Sequence, residues 1–354
     1  MFLVSVMQCG YALLEAGSVR SKNATNIVIK GLLCTVISVL VFWGMGYAFA
    51  HGPGNFFLGW RYFFGESMPE ILNSHWLWHT VLAVTASSIA SSSMAGRCEF
   101  YAYPLMTFLI TGKDLKIPVA QLSADILVNG AHANILEYIG IPFQDFAGSG
   151  VVHVLGGTAA WVAAILLGPR RGKFIKDSRK THNIPGHSSP LSALGGFILI
   201  FGLLAFNGGA KGSITEAGDG QILIRAVMNT VLSGMAAAMA AVITKKIAHT
   251  LSQVCSCCLW CSENFGLWRL YVQTVLITDV DIPLPCFSIV AAVLTLAGPF
   301  RPSSTGFAWN VAGAASIIGW TAGILLLVLG TVRLMGLLRV TEGVESKGTE
   351  SINL

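Results

Sequence analysis

Charge is what this sequence has least of. Asp, Glu, Lys and Arg make up 11% of its 354 residues, against about a quarter in an ordinary soluble domain. That shortage excludes a solvated globular enzyme or scaffold and leaves a polytopic membrane protein. The net charge of +5 does not point to nucleic acid. Its basic residues fall in short clusters between apolar runs, with no basic groove and no interleaved aromatics. No nucleophile–base pair and no phosphate-cradling loop is present, so the chain is read as a non-enzyme. Tandem repeats and low-complexity tracts are also lacking, as is a cleavable leader. Met1 to Gly17 is apolar but has no basic start, and it runs into LLEAGSVRSKN without a cleavage site, as a first span lacking its beginning would.

Cysteine is sparse too, with eight residues scattered except for Cys255, Cys257, Cys258 and Cys261. That group follows Lys245 and Lys246, a cytoplasmic flank, where disulfides are not expected. His249 is its one nearby imidazole, so a zinc site, acylation at a membrane edge and plain helix packing all stay open, the last favoured. No metal and no bound cofactor is assigned.

What the sequence has in abundance is apolar length. Hydrophobic residues make up 54% and glycine contributes 39 residues, as where helices in lipid approach through small side chains. Mean hydropathy is +0.68. Apolar runs predict helices near 1–17, 26–50, 76–95, 100–112, 146–168, 191–209, 222–244 and 307–338. Arg20, Lys22 and Lys30 follow the first run, Arg170, Arg171, Lys173, Lys176, Arg179 and Lys180 the fifth, and Lys245 and Lys246 the seventh. Positive residues gather on the inner side, which sets the amino terminus outside and the carboxyl terminus in the cytoplasm. An odd number of crossings must then lie between Lys246 and Gly306. Asp279, Asp281, Pro283 and Pro285 interrupt that interval, so one crossing fits and three full ones do not. The fourth run is broken by Gly112-Lys113-Asp114-Leu115-Lys116, charges that are unfavourable at membrane depth. Residues 343–354 are polar and expected to form a disordered cytoplasmic tail.

One apolar run carries an anomaly. Residues 146–168 contain no Asp, Glu, Lys or Arg, yet include His153. An ionisable group there faces a protein interior or a pathway; it is either satisfied by a neighbouring helix or part of a conduit. Asp145, at the start of the run, suits a helix cap and equally a carboxylate organising a cation-recruiting mouth. Phe206 either closes a narrow pore or packs, and Asn207 is expected to bond across helices. Trp76, Trp78 and His79 open the third run, where interfacial aromatics are common.

Taken together, CGYALLEAGSVRSKN (9–23), DFAGSGVVHVLGG (145–157), GPRRGK (168–173), GHSSPLSALGGFIL (186–199), FGLLAFNGGA (201–210) and GLLRV (336–340) resemble the ammonium transporter family, the Amt/Mep/Rh group, on its Amt side. The resemblance covers roughly 1–245 and 305–342. It implies an all-α membrane domain over 1–342, incomplete near 110–130 and 250–305, with about nine spans against eleven in the family. It further implies a homotrimer in a lipid bilayer, by analogy the plasma membrane, with ammonium or ammonia as the transported species. In the family each subunit has its own pore: ammonium is recruited at an outer vestibule, deprotonated, and crosses past two facing histidines. By position, Asp145 corresponds to the structural aspartate beneath the recruitment site, His153 to the first pore histidine and Phe206 to one of two gating phenylalanines.

The departures are equally specific. The other gating phenylalanine aligns with Leu82, and its aromatic–glutamine neighbours with Trp78 and His79. Gln121-Leu122-Ser123 stands where a vestibule tryptophan should follow Pro118-Val119-Ala120. Ala210 replaces the recruitment-site serine after Asn207, and the turn after the third span reads Ala95-Gly96-Arg97. No VHGxxG segment with a second pore histidine follows His249. Besides transport, these departures allow a non-conducting regulatory subunit or ammonium sensor, or a truncated or mis-spliced inactive product.

Overall fold

In a medium without water every backbone amide must be paired within the protein, and a helix does this segment by segment. The computed structural model describes residues 2–54, 58–112, 147–171, 186–212, 214–228, 230–231 and 304–347. Among them the secondary structure is helical, with two isolated bridges in place of strands. The helices are α1 (Phe2–Ser18), α2 (Ser21–Val41), α3 (Tyr47–His51), α4 (Asn73–Ser92), α5 (Ala102–Thr111), α6 (Leu155–Leu167), α7 (Ser189–Gly209), α8 (Ser304–Leu334) and α9 (Glu342–Lys347). Residues 219–228 are also helical. Two π turns join this frame: Phe42–Gly46 links α2 to α3, and Ser149–Val154 leads into α6.

Among the described residues, four stretches are long and apolar enough to cross a membrane: Ser21–His51, Gly150–Leu167, Ser189–Gly209 and Gly313–Leu334. They coincide with four of the predicted runs. α4 is less apolar because it carries Thr80, Thr85, Ser87, Ser88, Ser91 and Ser92, all buried. Their hydroxyls are satisfied within the fold. Thr80 donates to the Trp76 carbonyl, Thr85 to Val81 and Ser92 to Ile89, each at 2.8 Å. Ser88 also donates to Gln8 Oε1 of α1 at 2.7 Å, and the Ser38 and Ser87 hydroxyls meet at 2.6 Å. This back-bonding lets a serine-rich helix sit among apolar neighbours. α4 packs against α1, α2, α5 and α6, at the centre of the main core.

α1 and α7 form the closest helix pair. A Cβ on Gly195 would lie 2.6 Å from the Gly10 carbonyl oxygen, so only glycine permits this approach. Ser188 caps α7 by accepting from the Leu191 amide at 3.3 Å, with proline in the first turn. The His187 amide donates to the Val19 carbonyl at 2.9 Å, tying the start of α7 to the end of α1.

α5 has 10 residues, about 15 Å at 1.5 Å per residue, half of what a crossing needs. Its end at Thr111 agrees with the break expected at Gly112. α6 ends at Gly168, with φ 73°, just before Pro169. At this end of the bundle the basic residues converge. Arg97 donates to the Gly168 carbonyl at 2.9 Å and to Ser93 at 3.0 Å. Arg339 donates to the Leu167 and Pro169 carbonyls at 2.7 and 2.8 Å, and to both carboxylate oxygens of Glu345 at 2.9 Å. The Arg171 amide donates to Glu345 as well, at 2.8 Å. Burial and then the Arg170 guanidinium hold Arg20, in the turn before α2, below its ordinary pKa, with Glu345 acting oppositely.

The tail differs from its expected disorder in one part. Glu342–Lys347 form α9, because Glu345 at 2% exposure is held by Arg339 and Arg171. Residues 348–354 lie outside the described residues. So do Asp145, the Cys255–Cys261 group and the whole interval 232–303.

Candidate functional site

His153 owes its position to Gly148. That glycine has φ 86°, a conformation L-residues rarely adopt, and its carbonyl accepts from two amides, Val152 at 2.9 Å and His153 at 3.3 Å. The second bond is the i→i+5 closure of a π turn, a feature often found at functional sites. The imidazole is 7% exposed, and its Nδ1 has no hydrogen-bond partner among the described residues. A buried polar atom without a partner is costly, so this nitrogen is suited to a small polar visitor.

Two helices bring aromatic rings towards it. The His153 ring lies 6.1 Å from Phe206 of α7, which is fully buried. Phe206 in turn lies 5.6 Å from Trp78 of α4. Leu82, one turn further along α4, is buried in the same core. Trp78, Phe206, Leu82 and His153, each singled out from sequence, therefore meet in one apolar region. Asn207 does bond across segments, its Nδ2 donating to Thr230 Oγ1 at 2.7 Å. Ala210 stands at the end of α7 and offers a methyl group where a hydroxyl would be a donor.

Two further histidines, His51 and His75, come together with His79. His79 lies 4.1 Å from the ring of His51 and 4.2 Å from that of His75, while His51 and His75 are 4.8 Å apart. The spacing of His75 and His79, four apart on one helix, was the available signal. His51 could not be paired with them without the fold.

A family model described as Ammonium Transporter Family matches residues 1–259. The chain belongs to the ammonium transporter family. That family comprises transporters rather than enzymes, and with the apolar helices it makes the chain an integral membrane protein. A Caenorhabditis elegans protein named "Putative ammonium transporter 1" is 34% identical over 407 residues, covering 98% of this chain and 75% of that protein. The ammonium transporter Amt1 of Haloferax mediterranei is 38% identical over 259 residues, covering 68% of this chain and 49% of its own length. The chain thus spans three quarters of the first relative and about half of the second. Among solved structures, a Sensor Amt Protein matches with TM-score 0.72 at 24% identity over 99% of this chain and 95% of that one. Saccharomyces cerevisiae Mep2 matches with TM-score 0.63 at 18% identity, covering 96% and 85%. These likenesses carry the Amt/Mep fold.

Proposed function

We propose that this ammonium transporter family member carries ammonium or ammonia across a membrane, through a hydrophobic pore in each subunit. The observation that supports this most is the unpartnered Nδ1 of His153, buried behind the Trp78–Phe206 stack. A bare ammonium ion in an apolar conduit loses most of its solvation. Neutral ammonia hydrogen-bonded to an imidazole loses far less. In this reading the proton is left at an outer vestibule formed near Trp78, His79, Asn207 and Ala210, with Asp145 in the structural role that the family resemblance assigns to it. Phe206 and Leu82 close the passage, and His153 receives the neutral species. No cofactor is required.

The membrane domain extends over 1–342 in this proposal, in a homotrimer of the plasma membrane with the amino terminus outside. The cluster of Arg20, Arg97, Arg170, Arg171 and Arg339 at one end of the bundle supports a cytoplasmic placement of that end. A radiolabelled ammonium analogue supplied to liposomes holding correctly inserted protein is expected to enter faster than into empty liposomes. Equal rates would refute conduction.

A second reading, a non-conducting regulatory subunit or ammonium sensor, is favoured by the lack of a VHGxxG segment after His249. A truncated or mis-spliced inactive product fits another fact: the alignment to the worm relative runs over 407 residues, more than the chain's 354. Both predict the negative outcome of the uptake experiment.

A further inference from the structure

Where α3 stops and α4 starts, three imidazoles converge, and the pore reading uses only one of them, His79. One ring nitrogen from each of His51, His75 and His79 lies within 4.8 Å of the others. His75 and His79 are a His-x3-His pair on one face of α4, and His51 reaches them from the last residue of α3. The π turn Phe42–Gly46 sets the rotation of α3 and so the side on which His51 emerges.

The surroundings are built as metal sites are built. Tyr47, 1% exposed, packs edge-on against Phe42 at 6.0 Å and holds its hydroxyl 3.1 Å from His75 Nδ1. With Nδ1–H donating to that oxygen, Nε2 keeps its lone pair. Metal-bound histidines are commonly oriented in this way through their other ring nitrogen. His51 and His79 are half-buried and His75 is exposed. The site therefore has a dry side that fixes geometry and an open side through which an ion enters and a water completes the coordination.

We propose that His51, His75 and His79 form a three-histidine site for a divalent transition cation of the zinc class. Zinc–nitrogen bonds are about 2.0–2.1 Å, which in tetrahedral geometry sets ligand nitrogens roughly 3.4 Å apart. Closing the present spread to that value requires a movement of roughly 1.4 Å at most, within reach of the exposed His75 side chain. Three neutral imidazoles with no carboxylate suit zinc, copper and nickel, whereas calcium and magnesium take oxygen ligands. The three residues come from two helices anchored in one small core of Phe42, Tyr47 and Ala83. The ligands are thus carried by rigid elements.

The test uses the full chain, freed of metal by chelation and held in nanodiscs. Zn2+ alone is titrated by calorimetry, and Co2+ is used as a spectroscopic substitute. The expected result is one ion per chain, with a cobalt spectrum free of thiolate charge transfer. His51→Gln and His75→Gln are each expected to weaken binding by roughly tenfold or more, with helical circular dichroism unchanged. Binding that both substitutions leave within a factor of about two, or a thiolate band in the cobalt spectrum of the unsubstituted chain, would overturn the assignment. The second result would instead locate the ion at cysteine. Because the readout is binding, it is independent of ammonium flux: a chain that binds Zn2+ here but conducts nothing loses the transport reading and keeps this one.

Discussion

At the scale of single residues, His153 combines two demands that ordinarily conflict. Its Nδ1 is buried and unpartnered among the described residues, which costs stability of about 1–3 kcal/mol for a group of this kind. Replacing it by an apolar side chain of similar size removes that cost. His153→Leu is therefore expected to hold or raise the thermal midpoint, while lowering analogue uptake by about tenfold, near 1.4 kcal/mol of barrier. Parallel melting curves and liposome uptake check this; a lower midpoint with undiminished uptake would count against it. His153 and Asn207 stand out in the sequence because each is a polar group in an apolar run, whereas Phe206 takes its gating role from the family resemblance. His51 and His75 do not stand out, because a histidine at a helix end is ordinary and their convergence is a tertiary fact. Leu82 was legible only through the family resemblance, since leucine in an apolar helix carries no signal of its own.

At the scale of elements, helix positions followed from hydropathy, but the two π turns did not. Each depends on an i→i+5 bond that a sequence pattern does not encode, and the second also on Gly148 at φ 86°. An L-residue there meets a left-handed conformation costing about 1–2 kcal/mol, and its Cβ would lie 3.0 Å from Val152 Cγ2. Gly148→Ala is expected to lower stability by about that amount and to reduce uptake further than stability alone explains, since the turn carries His153. Guanidinium or thermal unfolding in detergent gives the first quantity and flux per inserted protein the second. α4 gives the opposite lesson. Its serines and threonines lower its apparent hydropathy, yet the helix is central because those hydroxyls bond back to its own carbonyls.

For the molecule as a whole, the carboxyl-terminal segment acts as a fastening. The polarity of residues 343–354 suggested a free tail, because polarity alone does not reveal that Glu345 meets Arg339 and Arg171. Arg339 joins α6, through the Leu167 and Pro169 carbonyls, to α9, through Glu345. Arg339→Ala leaves the Glu345 carboxylate, 1% exposed, without its closest cation but still beside Arg171, so the cost is expected to stay below the about 3–5 kcal/mol of a buried charge left wholly unpaired. The expected result is a marked loss of thermal stability and of monodisperse elution. Restoring only charge with Arg339→Lys should recover little, because lysine lacks the planar fork that serves two carbonyls and a carboxylate together.

The π turn between α2 and α3 has a consequence for how this protein tolerates change in length. Such a turn is a helix holding one residue more than its regular winding needs. Deleting Met45 would let Phe42–Gly46 relax into ordinary α geometry without breaking the rod. Everything beyond it would keep its facing, because the residue removed is the one that regular winding does not need, so Tyr47 and His51 would still meet α4. Helical content and Zn2+ binding would both survive, whereas loss of a residue from a helix without such a turn swings all that follows by about 100°. The turn is thus one residue of slack, which the rod can give up without turning its end.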